Sequence, residues 1–495
     1  MVVIPLYPHF ISPNELTRWA LAVALVELRT IEVTAVVQPL GPRMEDLAEV
    51  DGRLYSNKAP GAAAAGLPGY LLVRPFAGRP TAANLRPVVT SMRLAAATLP
   101  TLLIAALLVS IGRSLGVDDG RTARVVWIAL FATPLCTYGL LLFSHALVAA
   151  SLFGAWFLLF MPRRTPGRDA VAGALLGMGV LSEYTAAFPA AVFLVALLVE
   201  RRWWSLARVI AAGAPFAILM AGYHQLAFGS VTRTPYYFEK LDEYRAVARA
   251  GFFGLQVPSP GTLGQLLVDP ARGLLVFAPV LVLAAPALLE ARKRLPRVAF
   301  WTLTAAPAVV LLACSAYPNW HGGWSVGPRY VVPAIPFLLL PLLFRRGGPV
   351  EAFLAGFSAL AVFLTTIVFP FPPNAFAFPW MSLAAPLIGE GLIAPNLLHL
   401  IGRPAAIAAP LLIAGIAAVT ALRARGAALA LAGALAAVIV GGQAARFSDP
   451  AVTDLQRAYI AEVYFERSGS LAAPPPGLIG RRAMEMTLPP VSWPF

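Results

Sequence analysis

Three polar stretches in an otherwise apolar chain carry the residue types that move a proton or hold an anion. The first is Ser12-Pro13-Asn14-Glu15, with Arg18 one turn further on. Glu15 has two readings. It closes a capping box, reaching back to the Ser12 backbone N–H with Pro13 in the first helical position, or it serves as a general base towards an acceptor hydroxyl. Both hold together only if the cap leaves one carboxylate oxygen free. The second stretch is Asp51-Gly52-Arg53-Leu54-Tyr55-Ser56-Asn57-Lys58-Ala59-Pro60-Gly61. A turn needs the glycines and the proline but has no need of Tyr55, Asn57 and Lys58 so close together. Lys58 is either a point charge for a phosphate or an interfacial lysine that snorkels. The third stretch is Tyr317-Pro318-Asn319-Trp320-His321-Gly322-Gly323-Trp324-Ser325-Val326-Gly327-Pro328-Arg329-Tyr330. Its aromatic residues suit an interfacial anchoring belt. Its glycines, His321 and Arg329 suit a site where Arg329 meets a phosphate and the tryptophans stack on a sugar or line a lipid path.

Weaker candidates follow the same logic. His145 and Glu183 lie near the ends of apolar spans, where an ionisable residue is either functional or half of an interhelical pair. Within 225–270, Arg233-Thr234-Pro235-Tyr236-Tyr237 and Asp269-Pro270-Ala271-Arg272-Gly273 are polar enough for donor or acceptor contacts, whereas Glu239-Lys240-Leu241-Asp242-Glu243 reads as a solvated charge run.

A membrane scaffold must position these groups. The 495 residues are 59% hydrophobic and 13% charged, with a mean hydropathy of +0.74, which excludes an ordinary soluble domain. Apolar stretches of about 17 to 24 residues match helices crossing roughly 30 Å of hydrocarbon, and the ten-residue alternating strands of a barrel are absent. The sequence predicts an all-α polytopic membrane protein of about 12 to 13 transmembrane helices. Spans are read at 88–111, 124–142, 145–161, 169–182, 184–200, 206–224, 271–290, 298–315, 330–344, 350–370, 404–422 and 427–444. Residues 1–11 are apolar but too short to span, and read as the end of a truncated first helix; no cleavable signal peptide is visible. Residues 12–87 make a first loop. It opens with an amphipathic helix carrying Leu16, Trp19, Ala20, Val23 and Val26 on one face and lying in the interface, continues through an irregular polar stretch at 38–61, and ends on a short apolar piece at 62–76.

Charge orients this bundle of residues 88–444, because Lys and Arg stay on the cytoplasmic side. Every second connection is basic: Arg113, Arg121 and Arg124; Arg163, Arg164 and Arg168; Arg201, Arg202 and Arg208; Arg292, Lys293, Arg294 and Arg297; Arg345 and Arg346; Arg423 and Arg425. The alternate connections, 12–87, 225–270, 316–329 and 371–403, with the Pro-rich tail 445–495, are therefore exoplasmic, and they hold the polar constellations. The net charge of +14 sits beside the spans, so anionic membrane lipid and not nucleic acid is the expected counter-charge. Cys136 and Cys314 fall in apolar spans and read as packing residues. Neither a GxxxxGK[ST] loop nor a metal-ligand spacing is present, so no cofactor or metal is identified.

These stretches together resemble the integral-membrane glycosyltransferases of the C-type fold (GT-C), the superfamily of protein O-mannosyltransferases and lipid A aminoarabinose transferases. The resemblance covers most of the chain in topology. In motif it rests on an acidic first exoplasmic loop and on Tyr55-Ser56-Asn57-Lys58-Ala59-Pro60 before the second span. Pro13-Asn14-Glu15, the 55–61 segment and the W-x-GG-x-S-x-GPR segment at 320–329 are similar to a bacterial branch of such glycosyltransferases. The resemblance implies a polyprenyl-phosphate-linked sugar as donor, a glycan, lipid or protein hydroxyl as acceptor, inversion at the anomeric carbon, and a first-loop carboxylate as base. Better-known members open that loop with Asp-Glu where this chain has Asn14-Glu15, so Glu15 is the positional match, with Asp51 or Asp46 as stand-ins. Asn57 is an amide where an acid is common. Glu15 and Asp51 are thus expected to be catalytic, Lys58 and Arg329 to bind donor phosphate, and Asn14, Arg18, Tyr55, Asn57, His321, Trp324 and Tyr330 to bind substrate. The expected location is the bacterial inner membrane, with the site facing the periplasm or cell exterior. The competing readings are a lipid-linked saccharide flippase or transporter, and a non-catalytic subunit of an envelope glycan assembly. Transporters place charges at the membrane midplane, whereas here polar residues gather in one-sided loops, which favours the enzyme.

Overall fold

The structure is a computed structural model, and it describes residues 4–7, 10, 12–40, 46–81, 84–161, 165–251 and 254–465. The prolines of the expected tail at 474–476 and 489–490, most of 1–11, and Arg163 and Arg164 lie outside the described residues.

Helices dominate because an α-helix satisfies its backbone polar groups within one segment, which hydrocarbon demands. Among the described residues, five are long and apolar enough to cross a membrane: Leu85–Ser114, Trp203–Phe228, Arg297–Ser315, Pro349–Val368 and Pro404–Phe447. Shorter apolar helices occupy His145–Phe160, Tyr184–Val199, Arg329–Phe344 and Trp380–Gly389. The last of these falls inside 371–403, read above as a loop. The expected span 124–142 is broken: the Asp119–Phe131 helix stops before Pro134, whose missing N–H and ring clash interrupt a helix, and a single turn at Leu135–Tyr138 follows. The last two expected spans form one element, Arg403–Ala444, kinked at Arg423 where φ is 61°.

Contacts between connections fall into two sets. Arg124 donates to the carbonyl oxygens of Leu342 and Arg345 and pairs with Glu351, while Arg202 and Arg208 lie 3.6 and 3.3 Å from Asp169. Basic connections thus meet basic connections. The aromatic loops meet one another instead: the N–H of Lys240 donates to the carbonyl of Leu47 at 2.9 Å, that of Gln256 to Ala316 at 2.8 Å, and that of Ser325 to Pro372 at 3.1 Å.

The first loop departs from expectation twice. Its opening helix, Pro13–Val23, is capped by Ser12, whose Oγ accepts from the Asn14 N–H at 3.2 Å. Every residue of that helix is buried, so it is a core element and not one lying in the interface. The stretch read as irregular holds an antiparallel hairpin, β1 (Leu47–Val50) and β2 (Arg53–Ser56), in register from Leu47↔Ser56 to Val50↔Arg53. Asp51 and Gly52 turn it with φ of 51° and 77°, the left-handed pair of a two-residue hairpin loop. Ala48 also bridges to Glu239, so the 235–240 segment covers an edge that would otherwise present unpaired backbone groups.

Candidate functional site

The open end of the hairpin is where chemistry gathers. Strand pairing sets Asp46 beside Asn57, whose N–H donates to the Asp46 carbonyl at 3.4 Å. The Lys58 ammonium, Nζ, lies 2.7 Å from Asp46 Oδ1, and the Asn57 amide donates to the same oxygen at 3.2 Å. That amide also donates to Glu239 Oε1 and Oε2 at 2.9 and 3.0 Å. Two carboxylates therefore share one amide, and their environments drive them apart. Burial alone would raise Asp46, but the charge and hydrogen bond of Lys58, with Arg329 and Asn57, hold it down to about 2. Burial pushes Glu239 up to about 8, aided by the nearby Asp46 charge and opposed by Lys58 and Asn57. Pattern alone makes Glu239 part of a solvated run; the β-bridge buries it, while Asp242 stays exposed.

Arg18 and Arg329 complete the cluster. Arg18 reaches back one helical turn to the Asn14 carbonyl at 2.8 Å and across to Ser144 Oγ at 3.3 Å. Its guanidinium carbon lies 5.7 Å from the centre of the Phe143 ring, and that of Arg329 lies 5.5 Å from the same centre and 5.1 Å from that of Tyr330. Arg329 Nη2 donates to the Tyr330 hydroxyl at 3.3 Å. Both arginines are buried, and among the described residues neither has a carboxylate within ion-pair distance. Burial lowers Arg18 to about 10, with Asp46 and Glu183 opposing and Arg329 adding to the fall. Four buried polar atoms in this cluster have no hydrogen-bond partner among the described residues: Arg18 Nε, Arg329 Nε, Asn14 Oδ1 and Asn57 Oδ1. Unsatisfied polar atoms are costly inside a protein, and here they converge.

The 317–330 loop is shaped from behind by Arg272. Its guanidinium donates to the carbonyls of His321, at 2.6 Å, and Gly323, to Ser325 Oγ at 3.3 Å, and to Asn374 Oδ1. Arg272 is thus committed to holding the loop and not to donor or acceptor. Gly322 is required twice: its φ is 66°, and a Cβ there would stand 2.7 Å from Arg329 Nε. The glycine leaves room for the arginine.

The expected site residues divide accordingly. Lys58, Arg329, Arg18, Asn14, Asn57 and Tyr330 come together. Tyr55 does not; it packs edge-on against Phe228 at 5.7 Å. Trp324 is buried against Phe369 and Phe371, at 6.5 and 6.0 Å, and offers no face for stacking. His321 is half-buried, its Nδ1 accepting from the Gly323 N–H at 3.1 Å. Both expected bases need correction. Glu15 is fully buried, and its oxygens accept from Arg93 Nε at 2.9 Å, Arg93 Nη2 at 2.7 Å and the Leu142 N–H at 2.7 Å. It neither completes a capping box nor retains a free oxygen. Asp51 is exposed at the hairpin tip, about 17 Å along the strands from Asp46 at roughly 3.3 Å per residue. Asp46, the other stand-in, is the first-loop carboxylate that the fold brings to the cations. Among the described residues, no group of three or more His, Cys, Asp or Glu side chains is placed to hold a metal ion.

This architecture is the C-type glycosyltransferase fold. ArnT from Cupriavidus metallidurans has it in two crystal structures: bound to undecaprenyl phosphate, with a TM-score of 0.54, 16% identity and coverage of 98% of this chain and 82% of that one, and in the apo state, with a TM-score of 0.52, 16% identity and coverage of 98% and 81%. No protein-family model matches the chain, and no curated protein matches it in sequence.

Proposed function

We propose that the protein is an inverting glycosyltransferase of the bacterial inner membrane, moving a sugar from a polyprenyl-phosphate donor to a hydroxyl of a glycan, lipid or protein acceptor on the exoplasmic face. The observation that carries this reading is the pair Arg18 and Arg329, buried over one phenylalanine ring without a carboxylate partner among the described residues. A planar guanidinium grips phosphate through paired N–H donors, and two of them in a low-dielectric site suit a lipid phosphate. Lys58 stands ready beside them, held by Asp46 until a phosphate competes for it. As the bond from the anomeric carbon to the phosphate oxygen breaks, negative charge accumulates on the phosphate. Cations already in place stabilise that charge more in the transition state than in the ground state. The acceptor oxygen attacks from the opposite face, and the anomeric configuration inverts. The fold shared with ArnT, crystallised with undecaprenyl phosphate, supports the donor class.

The test is equilibrium binding of undecaprenyl phosphate to purified protein, followed by transfer from undecaprenyl-phosphate-linked hexoses and pentoses. Lys58→Ala is expected to weaken binding roughly tenfold, the worth of one hydrogen bond to a charged group. A wild-type protein that does not bind undecaprenyl phosphate refutes the donor class. One that binds it but transfers no sugar moves the balance to a flippase or an assembly subunit.

A further inference from the structure

The cluster supplies cations for a leaving phosphate, yet no first-loop carboxylate is well suited to receive the proton of the attacking hydroxyl. Glu15 is closed off by Arg93, Asp51 is at the far end of the hairpin, and Asp46, beside Lys58 and held down to about 2 by Lys58, Arg329 and Asn57, is a weak base. A different pair packs against Phe143. His145 opens the His145–Phe160 helix, and Glu183 lies in the break between Pro166–Ser182 and Tyr184–Val199, where an extended backbone (φ −159°, ψ 121°) swings its side chain out of both helices. His145 Nδ1 is 3.0 Å from Glu183 Oε2. Ser144 donates to that same oxygen at 3.2 Å, and Thr185 donates to Oε1 at 3.2 Å. Ser144 Oγ in turn accepts from Arg18, so the pair connects to the anion cluster by an unbroken chain of hydrogen bonds. The imidazole packs edge-on to Tyr330 and Tyr138, at 5.8 and 5.2 Å, and against Phe143 at 5.7 Å, the ring that both arginines face. Among the described residues its Nε2 has no hydrogen-bond partner.

With Nδ1–H donated to a carboxylate, the tautomer is fixed and Nε2 carries the free lone pair, the arrangement in which histidine works as a base. We infer that His145 is the catalytic base of the transfer proposed above, with Glu183 as its positioning residue. The inference rests on that proposal. In the step, the hydroxyl O–H bond breaks and the proton goes to Nε2. The oxygen bonds to the anomeric carbon, and the carbon–oxygen bond to phosphate breaks with its electron pair left on the phosphate, opposite Arg18 and Arg329. Glu183 balances the imidazolium until the proton leaves. The groups facing the pair are Arg18, Arg329, Tyr138 and Tyr330, with Tyr236 and Cys314 near Glu183.

The experiment uses full-length protein in phosphatidylethanolamine–phosphatidylglycerol vesicles and whichever undecaprenyl-phosphate-linked sugar the wild type transfers. His145→Gln is expected to lower kcat roughly 100- to 10,000-fold, with undecaprenyl phosphate affinity kept within about threefold. Glu183→Gln is expected to lower kcat less and to displace the acid limb of the pH profile. In the wild type that limb must follow the titration of a single group, a measurement that needs no variant to fold. A flat wild-type profile, or a His145→Gln protein that keeps its turnover or loses donor affinity and turnover in parallel, overturns the inference and leaves a structural interhelical pair. If no donor is transferred by the wild type, the proposed function itself has failed, and the inference with it.

Discussion

Arg93 and Arg329 are both buried arginines at the aromatic end of the bundle, and they are treated in opposite ways. Arg93 closes a two-pronged pair with Glu15 and donates to the Pro5 carbonyl at 2.5 Å. Arg329, like Arg18, lies over aromatic rings with its Nε unpartnered among the described residues. The other end of the molecule repeats the first pattern, Arg124 with Glu351 and Arg202 with Asp169. A buried charge costs several kcal/mol unless it is paired. The chain meets that cost internally at Arg93, Arg124 and Arg202, and on the proposed function the donor phosphate meets it at Arg18 and Arg329.

This contrast can be broken at four places. The largest effect is expected at Arg93→Met, which strands the Glu15 carboxylate in a dry interior; thermal melting in detergent should show about 3–5 kcal/mol of destabilisation. A variant melting like the wild type would mean that the Glu15 pair is not structural. Arg329→Met should do the reverse, melting close to the wild type because no carboxylate at ion-pair distance is stranded and only the hydrogen bond to Tyr330 is lost, while undecaprenyl phosphate binding weakens by about 1.5–3 kcal/mol. Loss of stability without loss of binding would erase the distinction between the two arginines.

Glu239 gives a smaller, pH-dependent effect. An unfolded glutamate releases its proton near 4.5, whereas the folded one keeps it up to about 8. Its contribution to stability is therefore complete below pH 4.5 and declines as pH rises through 8. Melting temperatures of wild type and Glu239→Gln taken across that window should diverge, with the decline weaker in the variant; parallel curves would contradict the buried, protonated state. The smallest effect belongs to Asp51→Asn, within about 0.5 kcal/mol in stability and unchanged in sugar transfer. A large loss of transfer there would return Asp51 to the chemistry.

Much of the scaffold was legible. Apolar runs announced helices, and basic connections grouped by the spacing of Arg and Lys touch one another, as Arg124 does Arg345. Lys58 and Arg329, far apart in sequence, were expected to meet one phosphate, and the fold brings them to the same cluster. The hairpin had a readable signal in Asp51-Gly52, flanked by Val50 and Leu54, but the surrounding polarity made the stretch pass for an irregular loop. Glu239 had no such signal, because its burial comes from a strand edge presented by Ala48.

The sequence by itself determined the membrane class, the helical scaffold and the short list of polar residues, because helix formation and hydrocarbon solvation depend on composition within a span. Only the tertiary structure decided what each charge does. Glu15 meets Arg93 across 78 residues, and Asn57 meets Glu239 across 182. A carboxylate's role is set by the cation within a few ångströms of it, and at those separations the identity of that cation is a property of packing, which local pattern does not encode.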